Sequence, residues 1–204
     1  MLLPLLRLLA ALIPLALPAP SQAGTAEARA WLSRQGYAGP TAGQIVVCHG
    51  YGCNRRALLA TDAPWLARAA SLLAGARGSA EAERRALGEV VRLYTASLAA
   101  QLGGRRDMPR SPPGQSGVHG QMDCLDVTAN VTSLLVVLEE RRLLSHHRVE
   151  GPQSRGFFID GRWPHFTAVV ADGSGARYAI DPWTRSPGER PLIAPLSQWE
   201  VAAN

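Results

Sequence analysis

The chain contains no lysine: all 21 of its basic residues are arginine. Replacement on that scale is the mark of coding bias and carries little functional information. The arginines are interleaved with 16 acidic residues, and the formal net charge is +5. No basic stripe runs along the sequence, which argues against a nucleic-acid surface. Charged residues are scarce at 18%, whereas hydrophobic residues reach 47%. That balance excludes a disordered chain and leaves enough apolar material for a buried core. At 204 residues the length fits one domain with at most a small attachment. No internal repeat or low-complexity block is present. Cysteine is also rare: there are three, an odd number.

A long apolar run occurs once. Residues 1–20 are almost wholly apolar, broken by Arg7 and by Pro4, Pro14, Pro18 and Pro20. Ser21-Gln22-Ala23 then sets small residues at the first and third places before Gly24. This pattern predicts a secretory signal over residues 1–23. The rival is a membrane anchor, but the prolines and the marginal length weaken it. No cysteine follows the cleavage point, so a bacterial lipoprotein is not expected. Nothing later approaches spanning length. The expectation is therefore a periplasmic or secreted protein with no stable membrane span, in a compartment where disulfides persist. Residues 24–204 then form a single domain, with a helical part over 24–110 and a catalytic-core part over 111–204.

Along that domain, residues 25–35 read as a short helix stopped by Gly36, and 44–48 (QIVVC) as a short strand. Helical spacing recurs over 62–74 and 79–102; in the second, Leu87, Val90, Val91, Tyr94, Leu98 and Leu102 share one face. Residues 103–120 are rich in Gly, Pro and Ser without periodicity, and so long a loop is often functional. A strongly apolar helix is predicted over 123–144. Strands follow at 147–150, 157–160, 165–171 and 177–180, the last two joined across Asp172-Gly173-Ser174-Gly175. The proline-rich tail reads as irregular. Helices first and a small antiparallel sheet after them make an α+β fold, with the apolar helix central.

Chemistry gathers around Cys124, at the first turn of that central helix. A helix N-terminus favours the thiolate, which is the nucleophile, and its unpaired N–H groups can hold an oxyanion. Such a cysteine needs a base and a group to orient the base. His165 opens the strand HFTAVV, and Asp181 closes the next in YAIDPW. A hairpin over 165–181 brings both to one end of adjacent strands, which is the nucleophile–base–orienter logic in the form Cys-His-Asp. Taken singly, Cys124 reads as a packing residue, His165 as a strand cap and Asp181 as a turn starter. Asp123 and Asp126 read as helix caps, and both oppose a low thiol pKa.

The order and context of MDCLDVTANVTSLLVVL, HFTAVV and YAIDPW resemble the transglutaminase-like branch of the papain-like superfamily, and bacterial transglutaminase-like cysteine proteinases within it. The likeness covers about residues 115–185. It implies a helix packed on an antiparallel sheet, with thiolate attack on an amide or ester carbonyl and an acyl-enzyme resolved by water or an amine. It carries over Cys124 as nucleophile, His165 as base and Asp181 as orienter. For the oxyanion side chain Gln115 and Gln121 are both candidates. No cofactor is implied. The implied partner is a peptide or protein substrate, with the cell envelope as one source. The alternative is a binding or assembly module that keeps the fold without turnover.

Cys48 and Cys53 enclose His49-Gly50-Tyr51-Gly52, and the expectation is a disulfide, since the glycines permit a tight loop. A metal site on Cys48, His49 and Cys53 is the rival, but no fourth ligand stands at a suitable spacing. The spacing is not Cys-x-x-Cys either, which disfavours a redox pair. His146 and His147 read as solvated. The sequon at Asn130 falls inside the apolar helix and is discounted. Trp163 and Trp183 flank His165 and Asp181 and read as core residues able to wall a cleft.

Overall fold

The structure, a computed structural model, describes residues 20–62, 64–104, 107–157 and 163–202. Its centre is the apolar helix α4 (Cys124–Glu140), in which every residue from Asp126 to Leu138 is buried. A helix apolar on all sides can be stable in water only when other elements surround it. Here a four-stranded antiparallel sheet lies against it, in the order β3-β4-β5-β6, with β3 (His147–Arg155), β4 (His165–Asp172), β5 (Arg177–Asp181) and β6 (Leu192–Pro195). A separate hairpin of β1 (Gln44–His49) and β2 (Arg55–Ala60) packs on α4 through β1. Helices α2 (Pro64–Ala74) and α3 (Ala80–Gln101) pack together, and their buried faces join the main core. Ser79 caps α3 by accepting from the Ala82 amide. The mixture of helix and antiparallel sheet is the expected α+β class.

Helix α1 (Pro20–Arg34) begins ahead of the expected cleavage point and packs on β3 and α4. Gly24 lies so close to β3 that a Cβ there would meet the Val149 carbonyl oxygen at 2.2 Å. At the other end, Gly36 adopts φ +74°. The Gly36 amide donates to the Ser33 carbonyl and the Tyr37 amide to the Leu32 carbonyl, at 3.0 and 2.8 Å. This two-bond cap fixes where Tyr37 leaves the helix. Among the described residues, no helix is long and apolar enough to cross a membrane.

Several boundaries differ from the sequence expectation. Helix α4 stops at Glu140, four residues early, and Arg142 sits at φ +56° just beyond it. Strand β3 runs on to Arg155 through an irregularity between Glu150 and Gln153. Strand β2 was not expected, because in RRALLA only Leu59 is buried and the alternation is lost. The tail is ordered rather than irregular: it forms β6 and then α5 (Leu196–Val201). Phe157 lies outside any strand, and residues 158–160 of the expected strand fall outside the described residues.

Candidate active site

The hairpin of β4 and β5 forms as expected. Asp172 holds its turn, with one carboxylate oxygen accepting from the Ser174 amide, the Ser174 hydroxyl and the Ala176 amide. The pairing of Ala168 with Ile180 then sets His165 and Asp181 at one end of adjacent strands. Their side chains meet: His165 Nε2 lies 2.7 Å from Asp181 Oδ2, and each residue is 1% exposed. Asp181 Oδ2 also accepts from Trp199 Nε1 at 3.0 Å, and Oδ1 accepts from the Trp183 amide at 3.1 Å. Burial works against the Asp181 charge, but the His165, Trp199 and Trp183 bonds outweigh it. The carboxyl is held below its ordinary range. An ionised Asp181 requires the proton on His165 Nε2, which leaves the Nδ1 lone pair available. Nδ1 is buried and has no hydrogen-bond partner among the described residues.

Two indoles border the imidazole, both tilted to it: Trp183 at a centroid distance of 4.5 Å and Trp199 at 5.5 Å. Arg155, in register opposite His165, lies over the Trp199 ring and donates to the Trp199 carbonyl at 2.6 Å. Trp199 thus fixes Asp181 from the far side, on a helix of the tail that sequence reasoning left irregular. Its signal was the apolar pair Leu196 and Trp199, one helical turn apart and both buried. Trp163 is not a core residue, being 67% exposed, whereas Trp183 lies against the imidazole.

Cys124 is the first residue of α4 and half-buried, and its thiol is the free one among the three cysteines. The groups acting on its thiol electrostatically include the backbone of Phe166, the residue after His165, and the Asp181 carboxylate, so the thiol lies towards the end of β4 and β5 that carries the imidazole. Burial pushes the Cys124 thiol up to about 11; the Phe166 amide opposes this, and the Asp123 carboxylate adds to it. The helix N-terminus therefore does not make a resting thiolate, contrary to expectation. Desolvation and the neighbouring carboxylate exceed what the first-turn amides supply. The Cys124 and Leu125 amides donate to no acceptor of another described residue.

The first turn of α4 is clamped by the loop between β1 and β2. Cys48 and Cys53 form the expected disulfide. Within it, Gly50, Tyr51, Gly52 and Cys53 all have positive φ, between 58° and 79°. Consecutive left-handed residues turn their N–H groups to one side and make a cradle for an anion. The Tyr51 and Cys53 amides donate to the Asp126 carboxylate at 2.8 and 2.6 Å, and the Gly52 amide to Asp123 at 3.0 Å. Asp123 is also the N-cap, accepting from the Asp126 amide at 2.7 Å. Deeper in α4, Asn130 bonds the Cys48 amide and carbonyl at 2.8 and 2.9 Å. Its 1% exposure agrees with discounting the sequon. Both sulfurs being in the disulfide removes them as thiolate metal ligands, and no metal-ligating cluster occurs among the described residues.

The two glutamines stand differently. Gln121 is buried, and its carboxamide oxygen accepts from the Met108 amide and the Ser111 hydroxyl, both at 3.1 Å. Through these bonds it braces the long loop. Gln115 lies half-buried in a single 3-10 turn, Pro113–Gln115. His147 was read as solvated, yet it is buried. Its Nδ1 and amide, with the Ser145 and His146 amides, all bond to Glu83, which is 0% exposed. That cluster ties α3 to the start of β3, away from the thiol. No family model, no curated protein and no solved structure matches the chain.

Proposed function

We propose that the chain is an exported cysteine hydrolase or acyltransferase of transglutaminase-like type, acting on amide bonds of a peptide or protein. Cys124 is the nucleophile, His165 the base and Asp181 the orienter. The observation that carries the reading is the His165 imidazole: anchored to Asp181 through Nε2, it keeps a buried Nδ1 with no partner among the described residues, at the strand end whose Phe166 and Asp181 act on the Cys124 thiol. Because burial keeps the resting thiol protonated, a base is a requirement and not an accessory. His165 Nδ1 takes the Sγ proton as sulfur bonds to the carbonyl carbon, and the carbonyl π electrons move to oxygen. Collapse breaks the C–N bond, and the proton passes from His165 to the departing amine. Water or a second amine then releases the acyl group. The disulfide supports an oxidising compartment for this chemistry.

One free thiol makes the test clean. An electrophilic thiol probe labels the wild type, and Cys124→Ala abolishes labelling. His165→Ala slows labelling on the order of 100-fold near neutral pH, the size of a general-base contribution. Equal rates for His165→Ala and the wild type would remove the triad. A second reading, a binding or assembly module without turnover, is favoured by the raised thiol alone. It predicts a folded wild type that neither labels faster than a small free thiol nor acylates with an activated ester.

A further inference from the structure

We propose that the Tyr37 hydroxyl, with the Cys124 and Leu125 amides, binds the oxygen of the carbonyl that Cys124 attacks. This rests on the reading of Cys124 as nucleophile, and it names an oxyanion donor beyond the candidates Gln115 and Gln121.

The placement begins in the α1 cap. Gly36 turns the chain, the Leu32 carbonyl captures the Tyr37 amide, and Leu32 and Tyr37 pack in one apolar cluster. The same cluster holds Trp31, both disulfide cysteines and Ala129, with Leu125 and Phe166 against it. Trp31 contacts Tyr37 at 6.0 Å and Phe166 at 6.1 Å between ring centroids. Tyr37 therefore belongs to the cluster against which Leu125, the neighbour of Cys124, and Phe166, the neighbour of His165, both pack.

Tyr37 is 6% exposed, yet its hydroxyl has no hydrogen-bond partner among the described residues. Buried tyrosines ordinarily find one. The hydroxyl is not among the fully enclosed unpaired atoms, so its tip meets solvent where the ring does not. The groups acting on it electrostatically are Asp123, Asp126 and Cys124, all at the head of α4. Burial first, and then these negative groups, raise its ionisation above the usual tyrosine value, so it remains an O–H donor at neutral pH. A hydroxyl without a partner among the described residues, in the cluster that Leu125 packs against and under the influence of Cys124, suits the reception of an oxyanion that develops at the head of α4.

The experiment separates reactions that do and do not form an oxyanion. Acylation of Cys124 by p-nitrophenyl acetate passes through a tetrahedral oxyanion; alkylation by iodoacetamide is a displacement at saturated carbon and forms none. Tyr37→Phe should slow the p-nitrophenolate burst on the order of 100-fold and leave alkylation within about twofold. Unchanged acylation would overturn the proposal. Loss of both rates together would overturn it too, since Tyr37 would then shape the thiol's surroundings only. Cys124→Ala runs alongside: a burst that survives it refutes the nucleophile reading itself, a result distinct from either failure of Tyr37.

Discussion

Replacing Asp181 with asparagine tests the central hydrogen-bond pattern without changing the size of the side chain. Asp181 accepts three N–H groups: His165 Nε2 and Trp199 Nε1 on one oxygen, the Trp183 amide on the other. Asparagine has one oxygen. If it faces His165 and Trp199, the new NH2 group confronts the Trp183 amide, donor against donor. If it is flipped, the NH2 group confronts Trp199 Nε1 and forces the His165 proton onto Nδ1. Either way a buried N–H loses its acceptor, which costs about 1–3 kcal/mol, and the remaining bonds lose their charge assistance. We expect a net loss of about 2–3 kcal/mol, or about 4–12 °C in Tm for a chain of this size. The pH dependence gives the sign. Asp181 is held below its ordinary range, so its contribution is complete above the unfolded-state value near 4 and disappears as pH falls through the lower folded-state value. Asparagine does not titrate. Urea melts at pH 7 and pH 3 should therefore show the gap between wild type and Asp181→Asn closing in acid. An equal gap at both values, or none at pH 7, would refute the bonding described.

Two further perturbations follow from the clamps around the site. The Cys48–Cys53 bridge closes a short loop, and its removal in a Cys48→Ser/Cys53→Ser double variant should cost about 2 kcal/mol by chain entropy. Because that loop grips Asp123 and Asp126, hydrogen exchange at the Tyr51 and Cys53 amides should accelerate more than at α3, and uniform acceleration would contradict the clamp. Glu83→Gln should destabilise by about 3 kcal/mol, since the buried carboxylate accepts from Ser145, His146 and His147. Burial opposes the Glu83 charge, but these donors hold its ionisation below the ordinary value, so this difference, too, should fade below about pH 4 in denaturant melts.

What the sequence made legible follows the reach of local patterns. The buried stripe of α3 and the β4–β5 hairpin carry their period and turn residues within a few positions, and they were readable. The tight Cys48–Cys53 loop was readable for the same reason. The partners of His147 were not, because Glu83 lies 64 residues away and nothing near His147 distinguishes a buried imidazole from a solvated one. Trp199 supports Asp181 from α5 and Arg155 holds Trp199 from the end of β3, and both elements are distant in sequence from the residue they serve. Tyr37 reaches the head of α4 only through the geometry of the α1 cap. Side chains that carry the proposed chemistry sit in recognisable contexts; side chains that aim them come from distant elements.

The thiol shows why that division matters. A helix N-terminus alone implies a lowered pKa, and the sequence places Cys124 there. Yet the loop that clamps this helix does so through two carboxylates, Asp123 and Asp126, and α4 starts inside packed structure. Burial pushes Asp126 up to about 7, with Asp123 adding to it; so the cradle of Tyr51 and Cys53 amides holds a carboxyl that its surroundings otherwise disfavour in charged form. The same burial and the same Asp123 raise the Cys124 thiol. The clamp and the acidity of the thiol are thus opposed through Asp123, which accepts from the loop and also raises Cys124. The proposed chemistry therefore draws on no standing thiolate. It removes the proton at the moment of attack, the role proposed for an imidazole held by Asp181 whose Nδ1 has no partner among the described residues.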